Sequence, residues 1–277
     1  MQTITKSAKN LIIRHFLSYD SAFLVRALRK SGISEGDALM VHSSWSPSNG
    51  FLGKPADMIA ALKELVGTEG LLSMTSMTYQ NETTLEFLAK NVPVKIGRSA
   101  SKMGLLTEVF RRGQGVIRSL NPAHPVLAWG ERAGWFVDGH DQAEYSFGRG
   151  SPFDKLLGIK GKLLCIDAPF STITFTHYLE DRISHALPFN LYETEPMLGI
   201  IIDSDGVEHE VPTRVLSETA NSLRREDRLI QALDAERLIQ RFRIGNTRFL
   251  LIECEAMTQC VDRMFSEGRS FFDSPAV

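Results

Sequence analysis

The sequence predicts an α/β fold built on a mixed, largely parallel sheet with a β-hairpin insertion. The first observation is a set of short, nearly continuous apolar runs, such as residues 38–44, which are typical of strands covered on both faces. The second is the helical spacing of apolar residues between these runs. The third is the strand–helix–strand order from residue 38 to residue 77, which requires a right-handed crossover between parallel strands.

Size and composition favour one folded domain that spans residues 1–277. With 43% hydrophobic residues, the chain has enough apolar side chains to bury a large core, and no linker-like segment divides it. Its 31 Lys and Arg residues are balanced by 33 Asp and Glu residues. A nucleic-acid or membrane partner is therefore not expected, and small molecules are the expected partners of a monomer or homodimer.

The expected location is the cytoplasm. The first residues lack the basic and apolar regions of a secretory signal, and no apolar run reaches about 18 residues. The three cysteines are odd in number and widely spaced, which favours reduced thiols over disulfides. Cys165 lies inside an apolar run, where a small buried side chain is the favoured interpretation over a catalytic thiol.

Each predicted helix combines apolar residues at helical spacing with a capping or breaking residue near one end. Asp20 and Gly32 flank the first helix in this way, and Pro55 and Gly67 flank the second. Helices are predicted over residues 21–31, 56–66, 102–112, 152–157, 172–183, 226–242 and 257–266.

The predicted strands are short apolar runs that end at polar residues or glycine. They cover residues 38–44, 71–77, 126–129, 162–167 and 248–254. Residues 198–202 and 207–211 form a predicted hairpin, because the Asp205-Gly206 pair between two apolar runs is a strong turn signal.

Three polar clusters lie where predicted strands end and helices begin. In the helix at residues 172–183, Thr174, His177 and Asp181 share one face, while apolar residues occupy the other. Residues 118–125 are rich in turn-forming and hydrogen-bonding side chains, and residues 41–44 end a strand with His and Ser. Each cluster alone is also compatible with a solvated helix face or a structural turn.

Together, the clusters and their flanking segments resemble the aminoglycoside 3-N-acetyltransferase family over roughly residues 20–215. Five motifs occur in the order of the family, at residues 36–44, 101–108, 118–126, 150–153 and 174–180. The resemblance implies an α/β/α sandwich that binds acetyl-CoA as a cosubstrate, without a metal, and acetylates an amine. It also implies that His177 is the general base and that Thr174 donates a hydrogen bond to the oxyanion.

Elementary chemistry agrees with a histidine base. A neutral amine must attack the thioester, and most amines are protonated at neutral pH, so a base with a pKa near neutrality is needed. The family also places a carboxylate beside this histidine, which fixes its tautomer. Glu208 is the preferred candidate on the predicted hairpin, with Glu210 on the same strand face as the alternative. Glu180 matches a family position, and a structural role is expected for it.

The remaining candidate residues bind the two substrates. The coenzyme side is assigned to His42, Ser43, Ser44, Arg118, Ser119 and His124. The acceptor side is assigned to Tyr79, Glu82 and Asp141, and further carboxylates in the same segments are Glu86, Asp138 and Glu144. The loop at residues 167–171 departs from the Gly-, His- and Asn-containing loop of the family, which leaves the identity of the acceptor open.

Three alternatives remain open from the sequence. The expected acceptor is a primary amine of an aminoglycoside-like amino sugar, and the alternative is a nucleotide-linked amino sugar or the amine of a secondary metabolite. A Ser-His-acid hydrolase is disfavoured because no Gly-x-Ser-x-Gly turn precedes a helix. A binding protein without activity is disfavoured because both His177 and Thr174 are present, and no His-x-x-x-His or His-Glu-x-x-His motif predicts a metal site.

Overall fold

The computed structural model describes residues 11, 13, 15–143 and 145–275. A seven-stranded sheet has the order β4-β5-β2-β1-β6-β10-β9, and a second sheet has the order β3-β7-β8. The strands are β1 Ala38–Ser43, β2 Leu71–Thr75, β3 Val94–Lys95, β4 Ile117–Arg118, β5 Val126–Trp129, β6 Lys162–Ile166, β7 Met197–Ile202, β8 Glu208–Thr213, β9 Gln240–Ile244 and β10 Thr247–Glu253.

Helices pack on both faces of the larger sheet, as the sequence predicts for a three-layer sandwich. They are α1 Ser21–Lys30, α2 Pro55–Val66, α3 Thr84–Ala89, α4 Leu105–Arg111, α5 Ala133–Val137, α6 Pro152–Gly158, α7 Phe175–Ile183, α8 Glu218–Leu223, α9 Glu226–Ala235 and α10 Cys254–Ser266.

Alternate residues of the central strand β1 face the two layers. Leu39 and Val41 pack into one apolar cluster with α1, α2 and α4. Ala38 and Met40 pack into a second cluster with α5, α6, α7, α9 and α10. Because side chains alternate along a strand, His42, two residues after Met40, lies on the same face of the sheet as Met40 and is directed toward the layer that contains α7.

The larger sheet is mixed, and its parallel part is confined to the centre. Strand β1 is parallel to both β2 and β6. The outer pairs β2–β5, β4–β5, β6–β10 and β9–β10 are antiparallel. The sheet is thus less parallel than the expected largely parallel arrangement, because four of its six strand pairs are antiparallel.

The predicted hairpin is confirmed and belongs to the smaller sheet. Strands β7 and β8 pair antiparallel, with Ile202 opposite Glu208 across the turn at Asp205-Gly206. Helix α3 packs on this sheet through a small apolar cluster that includes Phe87, Met197 and Val215. A Cβ atom at Gly199 would lie 2.3 Å from Cγ of Pro122, so the glycine lets the smaller sheet approach the loop that carries His124.

The predicted helix over residues 226–242 is wrong in its second half. Helix α9 ends at Ala235, and residues 240–244 form the edge strand β9. Arg237 adopts a φ of 57° just before this strand, which ends the helix although the apolar spacing continues past it. In the part of the chain that the structure describes, no helix is long and apolar enough to cross a membrane.

Candidate active site

A cleft of about 1220 Å³ opens at the carboxyl ends of the central strands. Its lining includes Val41 and His42 from β1, Thr75 from β2, and Thr174 and His177 at the start of α7. In α/β sheets, ligands bind at this edge because the loops that follow parallel strands diverge there. The three polar clusters predicted from the sequence therefore all reach one cleft.

Of the polar face predicted on helix α7, Thr174 and His177 line the cleft, whereas Asp181 accepts a hydrogen bond from Tyr192 Oη. Phe175, Leu179 and Ile183 are buried in the cluster under the sheet, as their helical spacing predicts. A 3₁₀ turn at Phe170–Thr172 precedes the helix and replaces the predicted first turn of a longer α-helix. The His177 side chain is 27% exposed and lines the cleft.

His177 is hydrogen-bonded to a carboxylate one turn further along its own helix. Its Nδ1 lies 2.9 Å from Oε2 of Glu180. Because an ionised carboxylate only accepts hydrogen bonds, the neutral imidazole carries its proton on Nδ1. The lone pair on Nε2 is then available to accept a proton from a substrate.

Glu180 is fully buried, yet it is held in its ionised form. Burial opposes its ionisation, but the neighbouring His177 and Arg224 outweigh this effect and lower the pKa of the carboxyl. Arg224 donates a 2.9 Å hydrogen bond from Nη2 to Oε2 and a second one from Nε to Oε1. The carboxylate is thus bonded on both oxygens.

The prediction that Glu208 lies beside His177 is wrong, and so is the alternative, Glu210. Both side chains are exposed on β8 of the smaller sheet. Glu180, for which we expected a structural role, takes the position beside the histidine. The i, i+3 spacing of His177 and Glu180 on one helix is the signal that could have identified this pair.

Thr174 lies at the N-terminal end of α7, where it lines the cleft near His177. Its backbone carbonyl accepts a hydrogen bond from the amide of His177, and its side chain caps no helix amide. The residue is 8% exposed. Its role in stabilising an oxyanion stays a prediction.

Two of the residues predicted on the coenzyme side, His42 and Ser43, line the cleft. His42 Nε2 and Ser43 Oγ are buried and have no hydrogen-bond partner among the described residues. Burial lowers the pKa of His42 to about 4, so this imidazole is neutral at physiological pH. Ser44 is exposed and does not line the cleft; its backbone amide bonds to the carbonyl of Ile166.

The predicted cluster at residues 118–125 divides between structural and cleft-lining roles. Arg118 and Ser119 do not line the cleft. Arg118 donates to the backbone carbonyls of Ser76 and Ser99, and Ser119 Oγ lies 2.8 Å from His140 Nδ1. A coenzyme contact is therefore not supported for either residue, because their polar groups hold neighbouring loops together.

His124 does line the cleft. Its Nε2 lies 3.3 Å from both Tyr79 Oη and Thr84 Oγ1, while its Nδ1 is buried and has no hydrogen-bond partner in the described part of the chain. Burial lowers its pKa well below the usual range, and the nearby imidazoles of His177 and His140 add to this effect. Phe147 contacts both His124 and His177, with ring centroids 4.5 and 4.9 Å away.

Of the residues predicted on the acceptor side, Tyr79 and Glu82 line the cleft and Asp141 does not. Glu86 also lines it, whereas Asp138 is exposed at the end of α5. Glu144 lies outside the described residues. The loop around Asp141 reaches the site instead through the ring of Phe147.

The sequence analysis missed three further carboxylates of the cleft, Glu193, Glu195 and Glu218. They lie in loops beside the smaller sheet and at the start of α8, far along the chain from the predicted acceptor segments. We call the following set the acidic wall: Glu82, Glu86, Glu193, Glu195 and Glu218.

Among the described residues, those that line the cleft from the ends of β1 and β2 and from the segment at the start of α4 include no carboxylate. We call the following set the neutral wall: Val41, His42, Ser43, Thr75, Met103 and Thr107. Among the described residues that line the cleft, Arg224 is the only lysine or arginine, and its charge is directed at Glu180. One side of the cleft is thus suited to cations and the other to uncharged groups.

The three cysteines are buried and free. Burial raises the pKa of Cys165 to about 12 and that of Cys260 to about 11. Neither is a reactive thiolate at neutral pH. No group of three His, Cys, Asp or Glu side chains suited to a metal occurs among the described residues.

Solved structures with known ligands share this fold. The structure of AAC-IIIb in binary complex with CoASH superposes with a TM-score of 0.75 at 24% identity, covering 94% of this chain and 99% of that one. The neutron and X-ray structure of sisomicin-bound AAC-VIa gives a TM-score of 0.74 at 20% identity, covering 91% of this chain and all of the other.

Proteins of similar sequence are also named as aminoglycoside acetyltransferases. Aminoglycoside N(3)-acetyltransferase III of Pseudomonas aeruginosa is 29% identical over 175 residues, which cover 59% of this chain and 64% of that protein. The type VIII enzyme of Streptomyces fradiae is 30% identical over 177 residues, which cover 57% of this chain and 59% of the enzyme. The chain thus spans about three fifths of the length of these relatives.

The sequence model of the family described as "aminoglycoside 3-N-acetyltransferase" matches residues 40–266 of this chain. The match extends beyond the five motifs into α9, β9, β10 and α10, where the sequence analysis found only a general likeness. Because it covers most of the chain and includes both His177 and Glu180, the protein belongs to the aminoglycoside 3-N-acetyltransferase family.

Proposed function

We propose that this protein transfers the acetyl group of acetyl-CoA to a primary amine of an aminoglycoside-like amino sugar. The observation that carries the proposal is the His177–Glu180 pair, which faces a cleft with an acidic wall. The relatives named as aminoglycoside acetyltransferases and the neighbours that bind CoASH and sisomicin support the same assignment.

The acidic wall favours an acceptor with several positive charges. In the described part of the chain, Glu193, Glu195 and Glu218 form no ion pair. Glu82 pairs with Lys90, and Glu86 accepts the amide of Thr83 at the start of α3. Unpaired carboxylates on one side of a cleft attract a polyamine and orient it against the neutral side.

The neutral wall suits the uncharged arm of the coenzyme. His42 Nε2 and Ser43 Oγ are buried polar atoms without protein partners, and such atoms gain most from the amide groups of a ligand. Met103 and Thr107 add apolar and hydroxyl contacts from α4. Acetyl-CoA supplies the activated acyl group when it is bound there.

His177 then acts as the general base. Its Nε2 accepts the proton of the amine as the nitrogen bonds to the acetyl carbon and the carbonyl electrons move to oxygen. Thr174 and the amides at the N-terminus of α7 stabilise the negative charge on that oxygen. When the carbon–sulfur bond breaks, His177 returns its proton to the leaving sulfur, and Glu180 remains ionised throughout.

The test is acceptor-dependent release of free coenzyme thiol. Acetyl-CoA is incubated with a tetracationic aminoglycoside, with a monoamine sugar, with a nucleotide-linked amino sugar, and without an amine. We expect release to be fastest with the aminoglycoside. The buried cysteines of the protein, with their raised pKa values, add little to the thiol signal.

Two outcomes would redirect the proposal. Release that is equal with and without any amine indicates a hydrolase, the other reaction class that a histidine and a carboxylate could serve. Faster turnover of the nucleotide-linked sugar than of the aminoglycoside would move the acceptor to another class of amine. Mass spectrometry of the product checks that a single acetyl group has been transferred.

A further inference from the structure

Arg224 completes a chain of three side chains at the centre of the site. It lies between α8 and α9, and it meets Glu180 from outside α7. Its guanidinium contacts both oxygens of Glu180, and Oε2 accepts from both Arg224 Nη2 and His177 Nδ1 at 2.9 Å. The arginine and the imidazole therefore share one carboxylate oxygen.

The backbone of Arg224 is held by the C-terminal segment of the described chain. Arg224 forms a bridge with Phe272, the amide of Arg225 donates to the carbonyl of Phe271, and the amide of Asp273 donates to the carbonyl of Leu223. Asp273 also pairs with the side chains of Arg225 and Arg228. These contacts hold the backbone at Arg224, and its guanidinium donates a further hydrogen bond from Nη1 to Asn221 Oδ1.

The charges around Glu180 show why a permanent cation matters at this position. Glu226, the first residue of α9, is close enough to influence His177 and Glu180, and burial raises its pKa. The acidic wall adds further carboxylates to the same cleft. His124, which contacts the ring of Phe147, is neutral because burial lowers its pKa, so it supplies no positive charge near His177. Without Arg224, the imidazole would face negative charge without a compensating cation.

We propose that Arg224 is a positioning residue that fixes the Glu180 carboxylate and limits the negative charge that His177 experiences. This inference rests on the proposed acetyl transfer, in which His177 must be unprotonated to accept a proton from the amine. A carboxylate bonded only to His177 would stabilise the imidazolium and keep the base protonated to higher pH. Because Arg224 shares the carboxylate with the imidazole, the negative charge of Glu180 stabilises the imidazolium less, and His177 stays in its neutral, proton-accepting form.

The test compares Arg224→Gln and Arg224→Lys with the wild-type protein. The matched control is Arg182→Gln, which removes an arginine on the outer side of α7 that pairs with Asp262. For each protein, kcat and kcat/KM are measured from about pH 5 to pH 9 with the acceptor that the wild type uses best.

The two variants distinguish the effect of the positive charge of Arg224 from the effect of its two-pronged contact with Glu180. Arg224→Gln should move the acid limb of kcat/KM to higher pH by roughly one unit and lower kcat by about tenfold. Arg224→Lys keeps the charge but loses the two-pronged contact, so its acid limb should stay in place while kcat falls by about threefold. Arg182→Gln should match the wild type in both respects.

A purely structural ion pair would behave differently. It would lower activity equally at every pH and leave the acid limb of Arg224→Gln in place, and that result would overturn the proposal. If Arg224→Gln fails to fold, Arg224→Lys carries the test, and an unchanged kcat in that variant would also overturn it.

A measurement without substrate distinguishes this inference from the proposed function. The ring signals of His177, assigned by comparison with His177→Asn, are followed by NMR titration in the wild type and in Arg224→Gln. We expect the His177 titration to move to higher pH in the variant. An absence of acetyl transfer by the wild type would contradict the proposed function, whereas an unmoved titration would contradict the role of Arg224.

Discussion

The two walls of the cleft differ in the charge of their side chains and in the exposure of those side chains to water. The acidic wall carries carboxylates on segments beside the smaller sheet, where water can reach them, and Glu195 and Glu218 are exposed. The neutral wall is formed at the end of the larger sheet, where His42 is 5% exposed and its imidazole is uncharged. Charge is thus placed where water reaches it, and buried polar groups stay neutral.

His177 lies between these walls and combines both situations. Its carboxylate partner is as buried as the neutral wall, yet it is ionised because His177 and Arg224 bond to it. A buried charge is tolerated when hydrogen bonds and an opposite charge compensate for lost hydration. The comparison teaches that the charge beside the proposed base is buried and fully bonded, whereas the charge proposed to attract the acceptor stays exposed.

The largest effect is expected from His177→Ala. It should lower acceptor-dependent turnover by about two to four orders of magnitude, because no other cleft residue replaces the base. Both walls are unchanged, so coenzyme binding measured by calorimetry should persist. The control is His185→Ala, an exposed histidine just after α7 that should leave the rate unchanged. Turnover of His177→Ala within tenfold of the wild type would remove the histidine from the mechanism.

The next effect separates Glu180 from Glu208. Glu180→Gln should reduce kcat by about two orders of magnitude, since a neutral amide does not stabilise the imidazolium, and its NH2 group favours the wrong tautomer of His177 when Arg224 binds its oxygen. Glu208→Gln should stay within about twofold of the wild type, because the side chain is exposed on β8. Steady-state kinetics with both substrates measures this difference, and a larger loss for Glu208→Gln would restore the hairpin glutamate as the partner.

A smaller effect tests the acidic wall itself. The double variant Glu195→Gln, Glu218→Gln should raise KM for a tetracationic acceptor by about five- to tenfold, because two exposed carboxylates contribute roughly 1 kcal/mol together. KM for acetyl-CoA should not change. The matched control neutralises Glu64 and Glu69, two exposed glutamates that do not line the cleft. An equal rise in both Michaelis constants would contradict the division between the walls.

The smallest effect concerns the neutrality of the buried histidines. Burial lowers the pKa of His42 and of His140 to about 4, and that of His124 also lies well below its usual range. Below about pH 6.5 these residues bind protons in the unfolded chain but not in the folded one. Stability should therefore be complete above pH 6.5 and decline as the pH falls toward 4.

Urea unfolding at pH 7 and pH 5 measures this decline. Each neutral histidine should contribute a loss of about 1 kcal/mol per pH unit in that window. His42→Asn should reduce the slope by one histidine, whereas His185→Asn, which changes an exposed side chain, should not. If the free energy of unfolding changed equally with pH in the wild type and both variants, burial of neutral His42 would not be a cause of the pH dependence.

The fold follows from the sequence where each element is decided locally. The central strands are apolar on both faces and the hairpin has a clear turn signal, so the prediction places β1, β6 and β7–β8 within about two residues of their observed ends. Residues 226–242 fail because their apolar spacing fits a helix, while pairing with β10 makes their second half a strand. Helix α3 was missed despite the capping box of Thr83 and Glu86.

The residues of the site also fall into two groups, those that local sequence patterns predict and those that depend on contacts between distant segments. The polar face of α7 is readable from the sequence, because helical spacing decides which side chains share a face, and the motifs then identify His177 and Thr174 as the candidates. The exclusion of Arg118, Ser119 and Asp141 from the cleft is not readable. The polar groups of Arg118 and Ser119 bond to loops whose positions depend on distant contacts, and Asp141 does not line the cleft.

The sequence by itself determined an α/β protein with a histidine at the start of a helix beyond a central strand, and its motifs indicated an acetyltransferase. Only the tertiary structure decided that Glu180 rather than Glu208 accompanies that histidine and that Arg224 completes the chain. It also decided that five distant glutamates form one acidic wall. The physical reason is that helix periodicity is a local property, whereas burial and charge compensation arise between segments that meet only when the chain folds.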